Sequence, residues 1–203
     1  MRKYLAEFID DAGGVFRGVM AAATAAAQDG AQKAHNYTMG VDWGKHNDFT
    51  VLTVCDAVTR EAVAIDRFRE IDYQFQLGRL QTMASRFKPE LIVVERNAMG
   101  EPLVEQLQRM DLPIQPFTTT NASKTEAIEA LALAIEKGDL KILNDPQLVT
   151  ELQGFEAQRL PSGMLRYGAP EGMHDDCVIS LALAWHGIVG VPRYKPPEIV
   201  RYA

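Results

Sequence analysis

Met39-Gly40-Val41-Asp42-Trp43-Gly44 and, further along, Ile92-Val93-Val94-Glu95-Arg96-Asn97 are two short apolar runs, each of which ends on a carboxylate. Apolar runs of this length read as strands. An acid at the carboxyl end of such a strand loses hydration and calls for a compensating cation. Similar runs lie at 37–42, 49–57, 61–68, 91–95 and 114–118. The first three are separated only by turn-like segments at 44–48 and 58–60, which predicts an antiparallel meander. Residues 73–87 then place Phe75, Leu77, Leu80, Met83, Ala84 and Phe87 near one helical face, and Pro89 ends the pattern. A helix near 101–110 separates the fourth and fifth runs, so strands alternating with helices add parallel β-α-β units to the meander. The expected fold class is therefore α/β, with a mixed sheet of five or more strands flanked by helices.

The remaining pattern is consistent with that core. Ser123-Lys124-Thr125-Glu126 has capping-box spacing for a helix over 123–137, closed at Gly138. Residues 139–143 read as a short strand, 147–155 as a helix, and 157–169 as a hairpin turning at Pro161-Ser162-Gly163. The last helix, about 174–189, is apolar almost all round and must pack on the sheet. Three units follow: 1–36, a linker or the end of a neighbouring domain; 37–190, the α/β domain; and 191–203, an extended tail with three prolines.

The chain has 203 residues, 47% of them apolar, and a net charge of −6 from 21 basic and 27 acidic residues. That composition excludes a disordered protein and any global positive field, so a polyanionic partner has to be held locally. Cys55 and Cys177 have no metal-ligand or redox spacing and read as buried reduced thiols. No signal sequence or membrane span is evident, and a cytoplasmic protein with no membrane partner is expected. The stretch from Gly40 through Gly44-Lys45-His46 mimics a phosphate loop, but its glycines are too closely spaced and His46 stands where Ser or Thr is needed.

The acids carry the chemistry. Asp42 and Glu95 end their strands, and Asp175-Asp176 open the last helix. Ligands bind at the carboxyl ends of strands in an α/β sheet. Each acid alone has a simpler reading: a turn for Asp42, pairing with Arg96 or Lys45 for Glu95, a helix terminus for Asp175 and Asp176. Acids converging without matching bases repel one another, and a hard divalent cation relieves this, so Mg²⁺ or Mn²⁺ is the expected cofactor.

Gly-Val-Asp-Trp-Gly followed by Asp48-Phe49-Thr50-Val51, then Ile-Val-Val-Glu-Arg-Asn, then Lys124-Thr125-Glu126, then His174-Asp175-Asp176 leading the last helix, resembles the nuclease domain of large terminase subunits of tailed bacteriophages. The resemblance covers about 37–190 and implies a ribonuclease H-like fold. Glu7 to Asp11 and Gly14 to Arg17 resemble the end of the terminase motor domain, yet no motor motif is present, and no ATPase activity is expected of this chain. The implied activity is metal-dependent endonuclease cleavage of concatemeric viral DNA during genome packaging, by a two-ion phosphodiester hydrolysis. On that reading Asp42 bridges the ions, Glu95 holds one and Asp176 the other. Asp175 competes with Asp176 for the third place and would reach a second ion. His174 orients an aspartate, contacts phosphate or is simply a satisfied histidine near the helix cap.

Lys45, Arg96, Lys124, Arg159 and Arg166 are candidate DNA contacts, the last two flanking a hairpin turn able to act as a flap. Double-stranded DNA is the expected substrate, read without sequence preference. The motor domain, the small terminase subunit and the portal are the partners that the resemblance implies. Rival readings are a Holliday-junction resolvase or transposase-like nuclease of the same fold, a non-catalytic packaging-complex module, and an actin-like nucleotide-binding module for which the chain is too short.

Overall fold

The computed structural model describes residues 14–44, 49–69, 72–96, 106–107, 109–161 and 163–190. A five-stranded sheet forms from β1 (Tyr37–Asp42), β2 (Thr50–Asp56), β3 (Glu61–Phe68), β4 (Leu91–Glu95) and β5 (Ile114–Phe117). Their order is β3-β2-β1-β4-β5, with β1–β2 and β2–β3 antiparallel and β1–β4 and β4–β5 parallel. The meander and the β-α-β units are therefore both present. Pro116, which has no N–H to donate, falls on β5 at the edge of the sheet, where that loss is tolerated.

Five helices are described: α1 (Val19–Ala22), α2 (Tyr73–Phe87), α3 (Asn121–Glu136), α4 (Pro146–Gly154) and α5 (Asp176–Val189). The two-residue side-chain period of β1 divides them between the faces. Tyr37, Met39, Val41 and Trp43 join the core under α2, with Leu77, Leu80, Met83 and Phe87. Thr38, Gly40 and Asp42 point the other way, to the face covered by α5 with α1, α3 and α4 around it.

The contact between α5 and β1 is unusually close. A Cβ on Gly40 would stand 2.0 Å from Ser180 O and 2.4 Å from Ala184 N, so only glycine fits there. Ser180 Oγ lies 3.0 Å from Gly40 O and 2.9 Å from Thr53 Oγ1, and Thr38 Oγ1 donates to Ala184 O at 2.8 Å. These bonds satisfy the polar atoms that such an approach buries.

Several sequence expectations shift. Helix α3 begins at Asn121, because the capping box joins Thr120 to Ser123 rather than Ser123 to Glu126. Thr120 has the extended backbone a cap requires, whereas Ser123 is already helical. Residues 139–143 form no strand; only isolated bridges join Lys141 to Glu61 and Leu143 to Ala25. Asp145, N-cap of α4, accepts from Gln147 and Leu148 N–H. The hairpin is β6 (Glu156–Arg159) paired with β7 (Leu165–Gly168). Cys55 and Cys177 are buried free thiols.

Phe16, Val19 and Ala22, within the stretch assigned to a linker or neighbouring domain, are buried in the same core as α3 and α5. Composition alone did not show this, because alanines and glycines contribute little apolar area until larger neighbours close over them. The helix expected near 101–110 lies mostly outside the described residues, as do 1–13, Lys45 and the tail 191–203.

Replacing Gly40 by alanine is expected to destabilise the fold by about 3 kcal/mol or more, since backbone rather than a flexible side chain would have to move. Chemical unfolding of Gly40→Ala against the parent checks this; an unchanged midpoint would contradict the close approach.

Candidate active site

Strand parity and register bring the acids together. Gly40 pairs with Val93 and Val41 with Val94 across β1 and β4, so Asp42 and Glu95 come next, side by side at the carboxyl ends. Both lie on the α5 face, and α5 begins there with Asp176. Asp42, Glu95, Asp175 and Asp176 line one cavity of about 270 Å³, with Trp43, Lys124 and Phe117 among its other walls. Asp42 and Asp176 are each 8% exposed.

Burial, foremost, pushes the Asp42 carboxyl well above the usual carboxylate range; the charge and hydrogen bond of Glu95 add to it, then the charges of Asp176 and Asp175. Asp176 is pushed up to about 6, first by burial and then by Glu151, against smaller opposing effects of His174 and the Phe49 N–H. Its Oδ2 is buried and has no hydrogen-bond partner among the described residues. His174 Nδ1 lies 3.4 Å away, near enough to attract the charge but not aligned as a hydrogen bond. Asp175 is different: its Oδ2 lies 3.1 Å from Lys124 Nζ on α3. Among the described residues no three His, Cys, Asp or Glu side chains gather around one point as the ligands of a single ion. The carboxylates share a cavity without sharing a centre.

The candidate basic residues separate. Lys124 lines the cavity and also a wider groove of about 790 Å³ between the start of α3 and the hairpin, with Asn121, Gln158, Arg166 and Glu171. Arg166 pairs with Gln158, while Arg159 pairs with Leu165, so Arg159 falls on the other hairpin face and is not on the groove wall. Arg96 is exposed beyond Glu95, its N–H bonded to Phe117 O, and is not among the cavity walls. The hairpin is tied to α3: Asn121 Nδ2 donates to Leu165 O at 3.0 Å and Tyr167 Oη to Glu129 Oε1 at 3.0 Å.

Sequence reasoning passed over Glu151 and Arg67 and took Phe49 only as part of a strand motif; all three lie around Asp176. Glu151 is 2% exposed on the apolar face of α4 with Leu148 and Leu152. An acid within the apolar stripe of a helix is the signal that was available.

A five-stranded sheet of this order, with carboxylates at the ends of its first and fourth strands and at the start of the last helix, defines a ribonuclease H-like domain. Residues 39–186 match the terminase RNaseH-like domain family, and the chain belongs to that family. It is 30% identical over 206 aligned residues to the large terminase subunit of Thermus virus P23-45, a match spanning 96% of this chain and 42% of the relative. The chain thus spans about two fifths of that relative's length. The large terminase nuclease from thermophilic phage G20c superposes with a TM-score of 0.79 and 27% identity, over 85% of this chain and 97% of the other. The Thermus phage P74-26 large terminase nuclease domain matches with a TM-score of 0.77 and 27% identity, over 90% of this chain and all of the other. The G20c nuclease is also known with magnesium, cobalt or zinc bound.

The raised pKa of Asp176 gives a pH signature. A carboxyl raised in the folded state binds its proton more tightly there than in the unfolded chain, so stability falls as pH rises between the unfolded value near ~4 and about 6. Asp42 acts in the same direction. Thermal unfolding of the metal-free chain between about pH 4 and about pH 7 is expected to show stability declining by on the order of 2 kcal/mol, with a shallower slope in Asp176→Asn. A rise in stability over that interval would contradict the assignment.

Proposed function

We propose that this chain is the nuclease unit of a phage large terminase subunit and cuts double-stranded DNA by a reaction dependent on divalent metal ions. The observation that carries this reading is the single cavity into which Asp42, Glu95 and Asp176 bring mutually repelling, largely buried oxygens. The donor set fits a hard cation: Asp176 Oδ2 is buried and unpartnered among the described residues, and Asp42 and Glu95 are crowded together. The reading takes two ions, Mg²⁺ or Mn²⁺, as the cofactor. Asp42 feels the charges of both Glu95 and Asp176 and is the candidate to hold both ions, with Glu95 holding one and Asp176 the other. When bound, such ions lower the pKa of a water nucleophile and offset charge on the departing 3′ oxygen. The magnesium-, cobalt- and zinc-bound forms of the similar G20c nuclease support the cofactor class.

The chain's own residues bind and orient. Of the two adjacent aspartates, Asp176 is the better inner ligand, because Asp175 is ion-paired with Lys124. His174 supports Asp176 from the solvent side. Lys124, at the join between cavity and groove, is placed to meet a phosphate of the cut strand, and Arg166 one further along. Asp175, held by Lys124, is free to turn toward an ion once a phosphate draws the ammonium away. The chain's net charge of −6 is compatible with this, since the ions offset the site acids and the cations are local. Residues 1–36 as a linker or the end of a motor domain that packs through Phe16, Val19 and Ala22 on this core, and the motor, small subunit and portal as partners, belong to the same proposal, as does action in the host cytoplasm.

Plasmid DNA incubated with the chain in Mg²⁺ or Mn²⁺ is expected to be nicked or linearised, with no cutting in EDTA. Asp42→Asn should lower the rate by about a thousandfold or more, the loss of several kcal/mol of charge stabilisation. Cutting that survives EDTA, or equal rates for both proteins, would refute the reading; a strong preference for four-way junctions would favour a resolvase instead. Arg166→Ala is expected to weaken DNA binding and flatten its salt dependence by about one phosphate contact, Arg159→Ala less so. Salt titrations of DNA affinity for the two variants decide between the hairpin faces, and a larger effect at Arg159 would reverse the assignment.

A further inference from the structure

Helix α5 opens without a cap of its own. Asp175 occupies the N-cap position, yet its side chain makes no bond to the helix and reaches Lys124 instead. The N–H of Cys177 in the first turn is buried and must find an acceptor. It donates to Glu151 Oε2 at 2.8 Å, a carboxylate that comes from α4. The second oxygen of Glu151 accepts from Gln147 Nε2 at 3.0 Å, one turn back on the same helix, and lies 3.8 Å from Arg67 on β3. Arg67 in turn stacks over the Phe49 ring, 3.2 Å from its centroid, and the Phe49 ring meets His174 edge-on at 5.2 Å.

A full carboxylate at this place has a cost. Its charge is one of the causes that raise the proton affinity of Asp176. An internal cap from Asp175 would satisfy the same helix end without a second buried acid, but it would take Asp175 out of the cavity. Supplying the cap from α4 leaves Asp175 facing Lys124 and the groove, and fixes the first turn of α5, and so the placement of Asp176, to a helix outside the site.

We propose that Glu151 is a positioning residue for Asp176: by capping α5 from α4 it holds the first helical turn so that the Asp176 carboxylate stays aimed into the cavity. This rests on the metal-dependent reading of the cavity. It predicts that the hydrogen bond to Cys177, rather than the charge of Glu151, is what metal binding needs.

The test uses the 203-residue chain, with Mn²⁺ alone titrated calorimetrically and amide exchange followed without metal. Glu151→Ala is expected to lower Mn²⁺ affinity by about tenfold or more, as loss of an outer support to a metal ligand does. Exchange in the first turn of α5 should speed up while far-UV circular dichroism is unchanged. With DNA, kcat should fall more than KM rises. Glu151→Gln, which keeps an acceptor for the Cys177 N–H, should stay within about threefold of the parent in affinity, a shift small beside the loss expected of an outer support. Glu151→Asp, which keeps the charge but is one methylene shorter, should behave like the alanine variant and stands in for it should Glu151→Ala fail to fold. Parent-like Mn²⁺ binding by Glu151→Ala or Glu151→Asp overturns the proposal, as does a Gln variant as weak as Ala. If the parent binds no Mn²⁺, or its binding survives Asp42→Asn, the metal reading of the cavity fails and this proposal with it. Asp42-dependent binding that Glu151 variants leave intact overturns the positioning role alone.

Discussion

The carboxylate cavity depends on how closely α5 can lie against β1. Gly40 lets the backbone of Ser180 and Ala184 come to a distance that no side chain would permit. Gly187 continues the contact, its Cβ position only 3.3 Å from Thr38 and Val93 side-chain atoms. Packing of this kind resists small displacements, because interiors have few voids to absorb them. The start of α5 is therefore held near the carboxyl ends of β1 and β4, and Asp176 with it. The hydrogen bonds from Thr38 and Ser180 make the contact specific in register as well as close.

Against that mechanical constraint stands an electrostatic one. The charges of Glu95 and Asp176 both oppose that of the buried Asp42, and Lys124, which lines the same cavity, is engaged with Asp175. Proteins keep such arrangements where the strain serves a purpose, and perturbed carboxyls in a cleft mark a functional site. Behind Asp176 the buried Glu151, beside the half-buried Arg67, adds its charge to the burial that raises the Asp176 carboxyl. The fold thus concentrates negative potential at the carboxyl ends of β1 and β4, while its net charge of −6 is spread over a surface with bases on it as well. On the proposed reading, metal ions would convert that acidic end of the sheet into a surface a phosphodiester can approach, and the polar groove beside the hairpin continues the path. The hairpin's bonds to α3 describe a wall to that groove more than a free flap.

Much of this was legible in the residues themselves. Apolar runs and turn signals placed the five strands and most helices, because burial of a central sheet imposes long stretches of Val, Ile and Leu that few other structures need. The acids at the ends of β1 and β4 stood out for the same reason: a charged residue is conspicuous where every neighbour is apolar. Helix boundaries were less legible. Thr120 and Ser123 each begin a sequence with capping potential, and only backbone conformation selects the first.

Sequence alone determined the alternation along each strand, so that Asp42 shares a face with Thr38 and Gly40, and Glu95 with Leu91 and Val93, since the side-chain period of an extended chain is local and invariant. Tertiary structure decided what distance and direction control. Register between β1 and β4 made those two acids neighbours. The crossing of α5 brought Asp176 to them, Lys124 drew Asp175 aside, and the hairpin turned Arg166 toward the groove and Arg159 away. Glu151 acquires its partner only when α4 and α5 meet, because Cys177 lies far from it along the chain and the bond joins two helices that no local pattern links.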